Sequence, residues 1–184
     1  MRTLALLLLI LVSTMAAHAQ GTINFINFVS IAGVNVVNAP VYESDGVTPL
    51  RGSQFMAELL VGPTADSLVS LAQTGFLFGA AGGYFNGGTV VAQNVNDFAY
   101  IQVRAWNTLA GFSFAEAQAS GLPNAFGSAA IIHIMTGGGD PVGVPAPLVG
   151  LTSFSLNAIP EPTPLALLGC ALAVVFLRKG LTTR

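Results

Sequence analysis

The chain has 184 residues, 53% of them hydrophobic and only 8% charged, with a formal net charge of −2. Between Gln20 and Ala158 seven acidic side chains stand against two basic ones, Arg51 and Arg104, with no lysine; the resulting −5 excludes the basic patch that nucleic acid or anionic lipid headgroups require. The one cysteine, Cys170, lies outside that stretch, which therefore has no disulfide and no thiol nucleophile.

The first 19 residues have the three-part layout of a secretory signal peptide. Arg2 supplies the positive region, residues 4–12 are an unbroken apolar run, and Ala17-His18-Ala19 fits small-x-small cleavage, leaving Gln20 as the mature N-terminus. From there apolar residues recur at short spacing between Gly, Asn and Pro, which predicts an all-β domain over residues 20–158. Strands are expected at 22–29 and at 40–43, the latter ended by the turn Ser44-Asp45-Gly46. Residues 54–61 alternate, with Phe55, Ala57, Leu59 and Val61 on one face, and Gly62-Pro63 stops them. Further strands are expected at 67–72, then at 75–78 and 89–92 on either side of the glycine-rich stretch 79–88.

The clearest alternation is at 98–106. Ala99, Ile101, Val103 and Ala105 form an inward face, while Phe98, Tyr100, Gln102, Arg104 and Trp106 form a larger, partly exposed one. A short helix follows: Ser113-Phe114-Ala115-Glu116 fits a capping box, Gly121 is placed to end it and Pro123 to prevent its resumption. Strands are expected again at 129–135 and 152–156, with 137–147 as a connecting loop. Seven to nine strands and one helical crossover predict a β-sandwich with one short helix, the alternative being a half-open barrel.

The chemistry-bearing residues are few. His133 is the single histidine after residue 19, so a His/Cys metal cluster is absent, and no Gly-x-Ser-x-Gly elbow occurs. The carboxylate pairs open to glycoside chemistry are Glu43 with Asp45 and Glu58 with Glu116, but turn and cap roles account for most of them. Asn94, Asn96, Asp97 and Asp140 offer oxygen ligands without the spacing of a calcium loop. Tyr42, Tyr84, Tyr100 and Trp106 are candidate sugar-stacking aromatics; Tyr100 and Trp106 share a strand face with Gln102 and Arg104, which could donate to hydroxyls. No catalytic residue, metal or cofactor is expected.

The last 26 residues carry the most specific signal. Pro160-Glu161-Pro162 is a stiff, extended tripeptide, residues 165–177 are apolar throughout, and Arg178 and Lys179 follow as a cytoplasmic stop. Thirteen apolar residues fall short of the roughly 20 that span a bilayer, a mismatch absorbed by local thinning and snorkelling. In order and position, Pro160-Glu161-Pro162, Thr163-Pro164-Leu165-Ala166-Leu167-Leu168-Gly169, the apolar stretch and the basic tail resemble the PEP-CTERM sorting domain. The tail departs from that pattern in being less arginine-rich, with Gly180-Leu181-Thr182-Thr183 before Arg184. The resemblance implies export in a Gram-negative bacterium, handling by an exosortase-type membrane enzyme, transient or permanent anchoring by the C-terminal segment, and association with exopolysaccharide. The resulting expectation is a signal peptide at 1–19, a non-enzymatic secreted domain at 20–158 and a sorting signal at 159–184, with a cell-surface carbohydrate-binding module as the alternative.

Overall fold

Strand-forming residues dominate wherever the computed structural model describes the chain, namely residues 21–93, 95, 97–138 and 144–158. Among the described residues the protein is all-β with a single short α-helix. Its strands are β1 (Gly21–Ile26), β2 (Phe28–Ile31), β3 (Val34–Asn38), β4 (Val41–Tyr42), β5 (Phe55–Gly62), β6 (Val69–Gly75), β7 (Asn86–Ala92), β8 (Phe98–Asn107), β9 (Phe126–Ser128), β10 (Ile132–Met135), β11 (Gly137–Gly138), β12 (Ala146–Pro147) and β13 (Phe154–Ser155). The helix α1 spans Phe114–Ala119, and a 3-10 turn at Gly79–Ala81 interrupts the glycine-rich stretch between β6 and β7.

Two larger sheets face one core. In the first, β10, β8, β5 and β6 run side by side, with β9 also on β8. In the second, β1 is flanked by β7 on one edge and by β11 and β12 on the other. Ile23 and Phe25 of β1 meet Ala57 and Leu59 of β5 and Ala99, Ile101, Val103 and Ala105 of β8, all fully buried in one cluster. The period-two alternation of 54–61 and 98–106 thus places the expected residues inward, because successive Cβ atoms on a strand point to opposite faces.

Three stretches depart from the sequence expectation. The strand expected at 22–29 breaks at Asn27, whose side chain bonds to other segments, and the chain continues as the hairpin β2–β3. The hairpin turns through Ala32 (φ 50°) and Gly33 (φ 82°), the pair of positive φ angles that a two-residue loop of the right twist demands. For Ala32 that conformation costs about 1–2 kcal/mol. The loop expected at 137–147 instead contributes β11 and β12, which pair with Gly21, Thr22, Ile23 and Asn24. Finally, 75–78 is no separate strand: Gly75 ends β6, and Phe76 bridges to Phe85.

The helix start follows expectation in one half of its cap. The Ser113 hydroxyl accepts from the Glu116 backbone N–H at 3.3 Å. The Glu116 carboxylate, however, accepts from the N–H of Phe112, one residue before the cap, at 2.8 Å. Ser113→Ala is expected to lower stability by about 0.5–2 kcal/mol, read as a shift of the urea midpoint at unchanged slope. A midpoint equal to that of the parent would remove the cap from the account.

Candidate functional site

The outward face of β8 gathers the side chains with chemistry. Cross-strand register sets His133 beside Tyr100 and Met135 beside Phe98 on one flank. On the other flank it sets Gly62 beside Tyr100, Leu60 beside Gln102, Glu58 beside Arg104 and Met56 beside Trp106. Because paired residues in an antiparallel ladder point the same way, these side chains form one continuous strip.

At the Phe98 end the strip is aromatic. The His133 ring lies 4.5 Å from that of Tyr100 at 30° and 5.3 Å from that of Phe98 at 24°. His133 therefore covers a face of Tyr100, while His133 itself and Phe98, 50% exposed, stay open to solvent. Beside it runs an open groove of about 290 Å³ lined by His133, Ile134, Met135, Ala146, Pro147 and Val149, between the edges of the two sheets. Gln102 is held by donating to the Ala129 carbonyl at 3.1 Å.

The middle of the strip is an ion pair. Glu58 is 3% exposed although its sequence neighbours assign it to the solvent side of β5. Its carboxylate takes the Arg104 Nε–H, the Ser70 hydroxyl at 2.5 Å and the Gln73 amide at 3.0 Å. Burial pushes the Glu58 pKa up, but hydrogen bonds from Arg104, Ser70 and Gln73, with the Arg104 charge, outweigh it and hold the carboxyl below its ordinary value. The Arg104 guanidinium also sits 4.3 Å above the Phe114 ring of α1, a cation–π contact.

At the far end the expectation for Trp106 is corrected. Trp106 is 1% exposed, so it offers no sugar-stacking surface. Phe114 packs on it edge-on at 6.5 Å, and Phe126 packs on Phe114 at 5.7 Å. The helix returns over the outward face and covers this end, which alternation along β8 alone has no means of signalling. The indole N–H has no acceptor among the described residues. Of the two expected glycan contacts, Tyr100 stays half-buried in the aromatic stack and Trp106 is core; the structure does not bring them into one platform.

The candidate carboxylates are occupied in separate local networks. Glu43 accepts from the Asn124 amide at 3.0 Å, and Asp45 accepts from Val47 N–H, Thr48 N–H and the Thr48 hydroxyl. Those bonds, the Thr48 hydroxyl first, hold the Asp45 carboxyl below its ordinary range. Asp97 is exposed, and among the described residues no three His, Cys, Asp or Glu side chains are placed to hold a metal ion. Asn94, Asn96 and Asp140 lie outside the described residues, as do Ala17, Ala19, Pro160, Glu161, Pro162, Arg178 and Lys179.

A feature that the sequence reading missed sits just before the terminal segment. Asn157 accepts from the N–H of Ala125 and of Phe126 through one side-chain oxygen and donates to the Leu122 carbonyl. Its backbone N–H bonds to the Phe126 carbonyl at 2.7 Å, and its carbonyl takes the Asn124 N–H at 2.9 Å. Five bonds thus fasten the chain three residues ahead of Pro160. Comparison with family models, curated proteins and solved structures finds no match. The local signal, an asparagine at the end of a strand, was present but not distinctive.

Proposed function

We propose that this chain is an exported structural component of the cell surface or extracellular matrix. On this reading residues 1–19 are removed on export. Residues 20–158 fold as a sandwich-like domain whose two sheets share a core, and residues 159–184 act as a PEP-CTERM-type sorting signal for an exosortase-type enzyme. Exopolysaccharide is the surrounding material.

The observation that carries the reading is a juxtaposition: Asn157 clasps the end of the folded domain, and the order Pro160-Glu161-Pro162, apolar run, Arg178-Lys179 follows at once. A processing enzyme at the membrane edge needs an extended substrate outside any fold. Two prolines with a clasp immediately upstream supply one at small entropic cost. The engaged carboxylates, Glu58 with Arg104 and Asp45 with Thr48, support a structural rather than a hydrolytic role.

Glu161→Ala in the native host is expected to leave export intact and block release, holding the protein in the membrane fraction. Intact mass of the surface-located parent protein is the check. A surface chain that still carried residues 165–184 would mean a permanent anchor and would refute processing.

A further inference from the structure

One asparagine of the chain precedes a glycine, Asn86-Gly87, and a second glycine follows at Gly88. The three residues open β7 at a bulge. Thr89 stands opposite Asn24 and Asn86 opposite Ile26, which leaves Gly87 and Gly88 to face Phe25 alone. The fold requires both glycines. Gly88 has φ 73°, and a Cβ on Gly87 would lie 2.3 Å from Cδ1 of the buried Phe25 ring. Asn86 is exposed, and its Oδ1 accepts the Gly88 N–H at 3.0 Å, closing an Asx turn around the Gly87 nitrogen.

That turn has the parts of an intramolecular acyl transfer. The Asn86 amide carbon, Cγ, is the electrophile, and the Gly87 backbone nitrogen is a nucleophile kept beside it by the ring of the turn. The Gly88 N–H is placed to take up negative charge as it develops on Oδ1. Gly87 has no Cβ to obstruct the approach. Two other Asx turns lack one part each. Asn107 accepts the Leu109 N–H at 3.0 Å in the same manner, but the β-branched Thr108 supplies the nitrogen. Asp45 accepts the Val47 N–H at 2.9 Å ahead of Gly46, but its carboxylate, held ionised first by the Thr48 hydroxyl, is a poor electrophile.

We infer that Asn86 is a self-modification site, at which the Gly87 nitrogen displaces the side-chain amide and water then opens the ring. The bond from the Gly87 nitrogen to Cγ forms and the Cγ–Nδ2 bond breaks. Ammonia leaves, and the Gly87 amide proton reaches it through solvent. Water adding to the succinimide at Cγ gives aspartate; water adding at the Asn86 backbone carbon gives isoaspartate. The net reaction consumes one water and releases one ammonia. It adds one negative charge to the −5 of residues 20–158. The extra main-chain atom of the isoaspartate falls where the ladder already skips a residue, so the pairing of β7 with β1 from Thr89 onward is kept. Loss of ammonia to bulk water makes the step one-way, and the modified fraction rises with the age of each copy.

The test is peptide mapping by mass spectrometry on the full chain, folded in detergent and held in mildly alkaline buffer, beside the same chain unfolded in urea. The folded protein is expected to exchange NH2 for OH in the peptide carrying Asn86. It should do so faster than in the peptide carrying Asn107 by about tenfold or more, a ratio equal to about 1.4 kcal/mol between the two barriers. Hydroxylamine, which attacks a succinimide, is expected to cut the folded chain between Asn86 and Gly87. Asn86→Asp keeps an acceptor for the Gly88 N–H and is expected to lose the mass change and the cut with an unchanged far-ultraviolet spectrum. A change at Asn86 in urea alone would show that the fold protects the site and would overturn the proposal. Equal change at Asn86 and Asn107, no change in either state, or a cut that persists at the parental rate in Asn86→Asp counts equally against it.

Discussion

Replacing Asn27 with alanine is expected to destabilise the protein by about 3–5 kcal/mol, among the largest effects for a single side chain. Asn27 is fully buried. Its amide donates to the Ala39 carbonyl at 2.7 Å and to the Gly83 carbonyl at 2.9 Å, while its oxygen accepts from the Phe85 N–H at 2.7 Å. The residue thus ties the end of β1 to the segment after β3 and to the glycine-rich stretch before β7. Alanine takes the partner from the Phe85 N–H and the Ala39 carbonyl, while the Gly83 carbonyl keeps the Val41 N–H, in a region flanked by Phe25, Phe76 and Phe85, whose rings pack on one another. Each orphaned buried group costs about 1–3 kcal/mol, and no apolar replacement supplies a partner. Urea unfolding of purified protein measures the loss. A decrease below about 1 kcal/mol would show that the Phe85 N–H and the Ala39 carbonyl find other partners and that Asn27 is not the tie described here.

Arg104→Met is expected to cost about 2–4 kcal/mol near neutral pH, somewhat below the usual figure for breaking a buried pair because Arg104 keeps part of its side chain in solvent. The methionine restores packing volume against Phe114 but strands the Glu58 carboxylate, which is left with Ser70 and Gln73. The sign of the pH dependence follows from the direction of the shift. In the parent protein the folded-state pKa of Glu58 is depressed, so its stabilisation is complete above the ordinary carboxylate pKa and is lost as pH falls through the lower folded value. Without Arg104 burial dominates, the folded pKa rises, and protonation relieves the variant as pH falls. The stability gap between parent and variant should therefore narrow from pH 7 toward about pH 4, near the unperturbed glutamate value. A gap independent of pH would mean that the loss is one of packing over Phe114 and not of charge. Glu58→Gln added to Arg104→Met should recover part of the loss at neutral pH, since it removes the stranded charge while keeping an acceptor for Ser70.

Both residues show how legibility divides in this chain. Arg104 is readable as an outward residue of β8, and Glu58 as an outward residue of β5, from alternation alone. Their meeting depends on the register of β5 against β8 across 46 positions of sequence. Burial of that outward face depends further on α1 and Phe114 lying over it. Trp106 was misplaced for the same reason. Period-two patterning assigns a side to each residue but does not say whether a second layer covers that side. Asn27 looked like an ordinary residue in the strand expected at 22–29, because its partners Ala39, Gly83 and Phe85 are 12 to 58 positions away. The hairpin turn had a usable signal, two residues ending in glycine between apolar runs, yet Ala at the first position hid it.

What the sequence determined by itself is whatever depends on near neighbours. It determined the all-β character, the inward residues of β5 and β8, the Ser113 cap, the Asp45 turn and the linear order of the terminal segments. These rest on hydrogen bonds and steric preferences within a few residues, or on composition, and so are written locally. Tertiary structure alone decided that the chain breaks at Asn27, that residues 137–147 add strands to β1, that Glu58 is neutralised in a buried site and that Trp106 belongs to the core. Each of these depends on which distant backbone or side chain arrives to satisfy a polar group or exclude water, and that is settled only when the sheets and the helix pack together.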